Sequence, residues 1–200
     1  MTWWGSLVRV QSRLPIPLPH PFFTIGHSNR TLDELIGLVA ANAIATIVDV
    51  RRFPGSRAQP QFNAEALAAA LARHGIGYEL MEALGGRRVR SKDIPPEVNG
   101  FWENQSFHNY ADYAMTPQFR AALDELIAIG REKRCAIMCS EAVWWRCHRR
   151  IVSDYLLAGG VAVEHIMGPG KVEPARLTPG ARPQPDGTIL YASEVTGSLL

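Results

Sequence analysis

The sequence predicts a three-layer α/β fold around a mainly parallel sheet of about five strands, and three observations predict it. Short apolar, β-branched runs alternate with stretches whose apolar residues recur at helical spacing. The alternation continues from Phe22 to Ile166 without an internal repeat or a low-complexity tract. Polar residues with chemical capacity gather where the apolar runs end. Parallel strands joined by helices bring those ends to one edge, which is where open sheets of this kind bind ligands.

Taken in order, residues 22–25 read as the first strand, and Thr31-Leu-Asp-Glu34 as a capping box that opens a helix with Leu35, Leu38 and Val39 facing inward. Residues 44–50 are a β-branched run, hence the second strand, with Asp49 and Arg51 at its carboxyl end. Pro54-Gly55 and Pro60 make residues 51–62 a loop, after which Asn63 is placed to cap a helix over 64–74 that Gly75 and Gly77 stop. Residues 78–80 are a third short strand. Glycine, proline and charge dilute the pattern over 82–108, which reads as a long loop. Thr116-Pro117 is the cap and first-turn proline of a helix running to about Lys133. Residues 135–138 form a fourth strand, Ile151, Val152, Tyr155 and Leu156 mark a helix, and 161–166 a fifth strand after Gly159-Gly160. A proline-rich tail ends in an expected edge strand at 188–191. Residues 1–21, closed by Pro15, Pro17 and Pro19, read as an irregular leader, and 22–200 as one α/β domain.

A chain of 200 residues, 46% hydrophobic, suffices for one core of ordinary size. A net charge of +2 is too small to draw nucleic acid or membrane by bulk electrostatics. The positive charge is clustered, however, at Arg51, Arg52 and Arg57 and again at Arg87, Arg88 and Arg90, so local anion binding stays open. Three cysteines do not make a disulfide framework, and no apolar stretch approaches the roughly 20 residues of a membrane span. A cytoplasmic location and no membrane partner are expected.

The densest chemistry lies in Cys139-Ser-Glu141-Ala-Val-Trp144-Trp145-Arg146-Cys147-His148-Arg149-Arg150, between the fourth strand and its helix. Parallel strands would bring this segment beside His27, Ser28 and Asn29 after the first strand, and beside Asp49, Arg51 and Arg57 after the second. Cys139 and Cys147 are candidate nucleophiles, since neighbouring basic groups and a helix start favour a thiolate. His27 and Glu141 are candidate proton carriers, with Glu141 alternatively holding Arg149 in place. Ser28, Asn29, Asp49, Arg51, Arg57, His148 and Arg149 are candidate substrate contacts, the arginines offering planar forks to a phosphate, sulfate or carboxylate. Each also has a bland reading: a turn residue for Asn29, a bridge under the loop for Asp49 and Arg51, a small packed hydrophobe for Cys139. A metal would draw on Cys139, Cys147 and His148, with His27, but seven residues between the cysteines is not a usual zinc spacing, and no metal site is assigned. A reversible Cys139–Cys147 disulfide is a further alternative. Trp102, Phe107 and Tyr110 either stack on a base or close the core.

The blocks Thr24-Ile-Gly-His27-Ser-Asn29, Asp49-Val-Arg51, Phe53-Pro-Gly-Ser-Arg57, Pro60-Gln-Phe62-Asn63, Leu84-Gly-Gly86-Arg87, Tyr110-Ala-Asp112-Tyr113, Cys139-Ser-Glu141 and Cys147-His148-Arg149 occur in this order. With them the chain, over about residues 22–191, resembles the domain of unknown function 488 family. The resemblance implies a single α/β domain and transfers no activity. The strand ending in Cys139, the arginine-bearing loop, the helix and Gly159-Gly-Val161 are more distantly similar to rhodanese and the related cysteine phosphatases, though the loop here is one residue longer and carries two tryptophans.

Together these readings point to an enzyme, a transferase or hydrolase using cysteine or acid–base chemistry, on an anionic small molecule of phosphate-bearing or nucleotide-like kind. The alternatives are a nucleic-acid or partner-binding module without turnover, and a metal- or haem-binding protein using the Cys and His residues. Cofactor and oligomeric state are not readable from the sequence.

Overall fold

The computed structural model describes residues 18–193; of the expected leader, residues 1–17 lie outside it. The strands are β1 (Phe22–Gly26), β2 (Thr46–Asp49), β3 (Gly77–Leu80), β4 (Cys135–Cys139), β5 (Val163–Gly168), β6 (Lys171–Pro174), β7 (Ala181–Pro183) and β8 (Ile189–Tyr191). The helices are α1 (Leu32–Ala41), α2 (Ala64–Ala72), α3 (Gln105–Ala114), α4 (Pro117–Glu132) and α5 (Arg149–Ala158). β1 to β5 pair in parallel and β6 adds an antiparallel edge, giving the order β3-β2-β4-β1-β5-β6. The chain is an α/β fold with six strands in its main sheet.

Alternation along the central strands builds two cores. Cys135, Ile137 and Cys139 pack with residues of α3, α4 and α5, whereas Ala136 and Met138 pack with residues of α1 and α2. The placement of the helices follows from right-handed crossovers: α1 and α2 carry the chain outward to β3 over one face, and α3–α4 and α5 carry it back over the other. On the way back β4 inserts between β1 and β2, so the loops following β2, β4 and β1 stand side by side. Helices leave β4 and its two neighbours on opposite faces, which opens a crevice at the carboxyl edge.

The capping box at Thr31 is present, Glu34 N–H bonding to Thr31 Oγ1 at 3.2 Å and the Glu34 carboxylate accepting Thr31 N–H at 2.6 Å. Three expectations need correction. Asn63 does not cap α2 with its side chain; its Oδ1 accepts the N–H of Ser56 at 2.6 Å, tying down the loop after β2. The stretch expected as a loop ends in the first turn of α3, a helix not foreseen, whose start Asn104 caps by accepting from Ser106 and Phe107. Its buried face of Tyr110, Ala111 and Ala114, with Phe107 packed against it, has helical spacing, diluted in the sequence by His108, Asn109 and Asp112. The last strand is not an edge of the main sheet; β8 pairs with β7 in a separate two-stranded ribbon.

Candidate functional site

β1, β2 and β4 end in register, with Gly26 opposite Cys139 and Asp49 opposite Met138. The strand ends converge closely: a Cβ on Gly26 would stand 1.9 Å from the carbonyl oxygen of Glu141, so only glycine lets the two loops meet. Above them opens a cavity of about 520 Å³, lined among others by His27, Arg51, Cys139, Glu141, Arg146 and His148. Arg52, Arg87 and three phenylalanines, Phe53, Phe62 and Phe107, complete its sides. Ser28 and Arg87, two of the three non-glycine residues with positive φ among the described residues, lie in loops at this edge.

Asp49 and Arg51 form a closed unit. Arg51 donates from Nε to both carboxylate oxygens at 2.9 and 3.0 Å and from Nη2 at 2.5 Å, while the Arg51 backbone N–H and the Tyr78 hydroxyl also bond to Asp49 at 3.0 and 2.7 Å. Burial opposes the charge on Arg51, but the bonds to Asp49 hold it protonated, and burial beside the same carboxylate raises Tyr78. The remaining Arg51 nitrogen, Nη1, lies 3.3 Å from His27 Nε2. An arginine only donates, so His27 Nε2 is the acceptor and its Nδ1–H donates to the Ser28 carbonyl at 3.1 Å. His27 stacks on Phe62 at 4.3 Å, and burial with Arg51 lowers its pKa.

The β4 loop holds the thiols. His148 Nε2 lies 3.1 Å from the Val50 carbonyl, which only accepts, so Nε2 carries a proton and Nδ1 is the ring nitrogen that faces the thiols. That Nδ1 is 3.6 Å from Cys147 Sγ and 3.9 Å from Cys139 Sγ. The ring fits because residue 86 is glycine: a Cβ there would reach 2.9 Å from Nδ1. Cys139 lines the cavity, whereas Cys147 lies behind it, 2% exposed. Burial opposes ionisation of Cys147, yet the Cys139 thiol and the Arg149 guanidinium together bring it down to about 6. Its hydrogen bond to Cys147, then burial, pushes Cys139 up to about 12, so the pair shares a single negative charge near neutrality.

Arg149 is 1% exposed and has no carboxylate partner among the described residues. It donates to Cys147 Sγ at 3.3 Å, to Thr24 Oγ1 at 3.4 Å and to the Glu141 backbone carbonyl at 2.5 Å. Glu141 thus holds Arg149 through its main chain, leaving its own carboxylate exposed at the cavity wall. Thr24 Oγ1 also meets His165 Nδ1 at 2.7 Å, and His165, stacked on Trp144, is lowered to about 4 by burial and by Arg149.

Of the residues singled out in the sequence, His27, Arg51, Cys139, Glu141 and His148 line the cavity; Asp49, Cys147 and Arg149 lie beneath it. Ser28 is bound through its backbone N–H to the Ser140 carbonyl, and Asn29 and Arg57 are exposed outside the lining. Trp102 and Tyr110 close the core, Trp102 stacking on Phe107 at 4.9 Å and Tyr110 donating to the Leu84 carbonyl. Arg88 folds back over Tyr113 and three carbonyls, leaving only Arg87 and Arg90 of that cluster exposed. Thr24, Phe62, Tyr78 and His165 were not singled out as site residues. Thr24 and His165 carry a readable signal, polar residues inside apolar strands that turn out to be directly paired in register.

No helix among the described residues is long and apolar enough to cross a membrane. No curated protein and no solved structure matches the chain. Residues 31–156 match the family described as Domain of unknown function DUF488, a span that takes in β2, β4 and the whole thiol loop and leaves out His27 and everything from β5 onward. The match covers well over half of the chain, and the protein belongs to the DUF488 family.

Proposed function

We propose that the protein is an enzyme acting on an anionic small molecule, phosphate-bearing or nucleotide-like, in the cavity at the carboxyl edge of the sheet. The observation that carries this reading is the joint lining of one cavity by Arg52, Arg87 and Arg146 on its sides and by Cys139 and His148 on its floor. None of these three arginines has a carboxylate partner among the described residues, so their forks are free to take an anion. Phe53 and Phe107 supply apolar surface for a ring or base.

The chemistry falls to the floor, where Cys139 is the sulfur a substrate meets. His27, a neutral imidazole, and Glu141, an exposed carboxylate, line the cavity from the neighbouring loops after β1 and β4, and either can move a proton. Asp49 and Tyr78 act at one remove, fixing Arg51 and through it the tautomer of His27.

Thermal unfolding with millimolar phosphate, sulfate and nucleoside phosphates tests the binding half. The expected result is a rise in Tm, in line with about 2.7 kcal/mol of stabilisation when ligand reaches 100 times its Kd. Changing Arg52 and Arg146 together to alanine should abolish the rise while leaving the unliganded Tm within a few degrees. No rise with any of these anions overturns the proposal.

A further inference from the structure

We propose that Cys139, Cys147 and His148 form a zinc site whose fourth position opens into the cavity. The inference rests on the reading of that cavity as catalytic and names the cofactor it would use. Around a tetrahedral zinc, with Zn–S about 2.3 Å and Zn–N about 2.0 Å, sulfur and nitrogen ligands stand about 3.5 Å apart and two sulfurs about 3.8 Å apart. Here Nδ1 of His148 lies 3.6 and 3.9 Å from the two sulfurs, and all three atoms fall within 4.8 Å of one another. Closing on an ion requires only small side-chain adjustments.

The outer partners fit as well as the distances. A histidine ligand needs one nitrogen bare and the other donating to a fixed acceptor, which orients the ring. The bond from His148 Nε2 to the Val50 carbonyl meets that requirement and leaves Nδ1 facing the sulfurs. The Arg149 N–H bond to Cys147 Sγ supports a charged sulfur there. Two thiolates cancel the charge of a divalent ion, so Arg149 remains in excess and the floor stays electropositive, as an anionic substrate requires. Thiolate and imidazole ligands select zinc over magnesium or calcium, which prefer oxygen.

Cys139 and His148 line the cavity and Cys147 lies behind them, so the vacant tetrahedral vertex points toward substrate. Three protein ligands with an open position are the arrangement of catalytic zinc. In this assignment the cysteines are ligands, the open position takes water or a substrate oxygen, and Glu141 is the exposed carboxylate on the same wall. The seven residues between the cysteines, unlike a usual zinc spacing, are accommodated because the turn at Trp144–Arg146 returns the chain to the end of β4.

Cobalt titration of the full chain, kept reduced by a phosphine, tests the site without a substrate. One equivalent should give thiolate-to-cobalt charge transfer and the intense visible bands of tetrahedral cobalt, bleached by added zinc. Cys147→Ser and His148→Gln should each weaken zinc by more than the roughly 10- to 100-fold that loss of an outer partner costs. Should a variant fail to fold, mass mapping of alkylation on the unaltered chain decides: zinc must protect both Cys139 and Cys147. A weak octahedral cobalt spectrum, or alkylation unaffected by zinc, overturns the assignment. The phosphate-dependent Tm is read in parallel. If the Tm rise survives without metal binding, the zinc site alone falls; metal binding without any anion response removes the anionic-substrate reading instead.

Discussion

Two arginines lie buried at neighbouring strand ends, and their surroundings differ. Arg51, after β2, is 8% exposed and grips Asp49, a carboxylate from its own strand that also accepts from Tyr78. Arg149, at the start of α5, is 1% exposed and among the described residues finds only a sulfur, a hydroxyl and a carbonyl. A buried cation needs a counter-charge, and at Arg149 the candidate is the thiolate of Cys147. The first arginine is therefore part of a completed wall. The second maintains a charged sulfur, and that difference separates scaffold from chemistry at this edge.

The largest expected effect breaks the completed pair. Asp49→Asn leaves the largely buried Arg51 charge without its carboxylate partner, and should lower stability by about 3–5 kcal/mol in urea unfolding. A loss below about 1 kcal/mol would show that Arg51 reaches solvent or another anion, and the contrast with Arg149 would fail.

Acid should act next, on the Arg149 side. His165 ionises near 4 in the folded chain against an ordinary 6.5, because burial and Arg149 both oppose a second cation there. The unfolded chain therefore takes up this proton first as pH falls. Stability from this group is complete above about pH 6.5 and is lost progressively down to about pH 4, by about 3 kcal/mol in all. Urea unfolding at pH 7 and pH 4.5 should show this loss in the unaltered chain and a much smaller one in His165→Gln. Equal losses in the two proteins would remove His165 from the comparison.

The smallest effect sharpens the contrast most. In the chain freed of metal by chelator, Arg149→Met should raise the ionisation of Cys147, followed by thiolate ultraviolet absorbance, by at least one pH unit, or about 1.4 kcal/mol. The starting value is near 6. An unmoved titration would mean that the thiolate is held by Cys139 and His148 alone.

Much of this was legible along the chain. Ile44, Ile47 and Val48 marked a strand because β-branched side chains suit a sheet packed on both faces, and Thr31 with Glu34 marked a helix start because each satisfies an orphan N–H of the other. Strand ends carrying Asp49 and Cys139 could be placed at one edge because parallel sheets leave little choice. α3 was missed because only tertiary burial separates its weak apolar stripe from the polar residues between. β6 and β7 were missed, and β8 was expected but assigned to the wrong sheet, for a related reason: segments of three or four residues carry too little pattern to declare what they pair with.

The sequence by itself determined the class of fold, the edge at which chemistry gathers and the residue types present there, since these follow from local periodicity and from the geometry of parallel strands. Only the tertiary structure decided which groups face the cavity and which support it. Arg149 and Arg51 look alike in the sequence, and so do the two cysteines. Burial, the available acceptors and the insertion of β4 between β1 and β2 set them apart, and much of this depends on contacts between segments more than 80 residues apart, such as Thr24 with Arg149 and Val50 with His148.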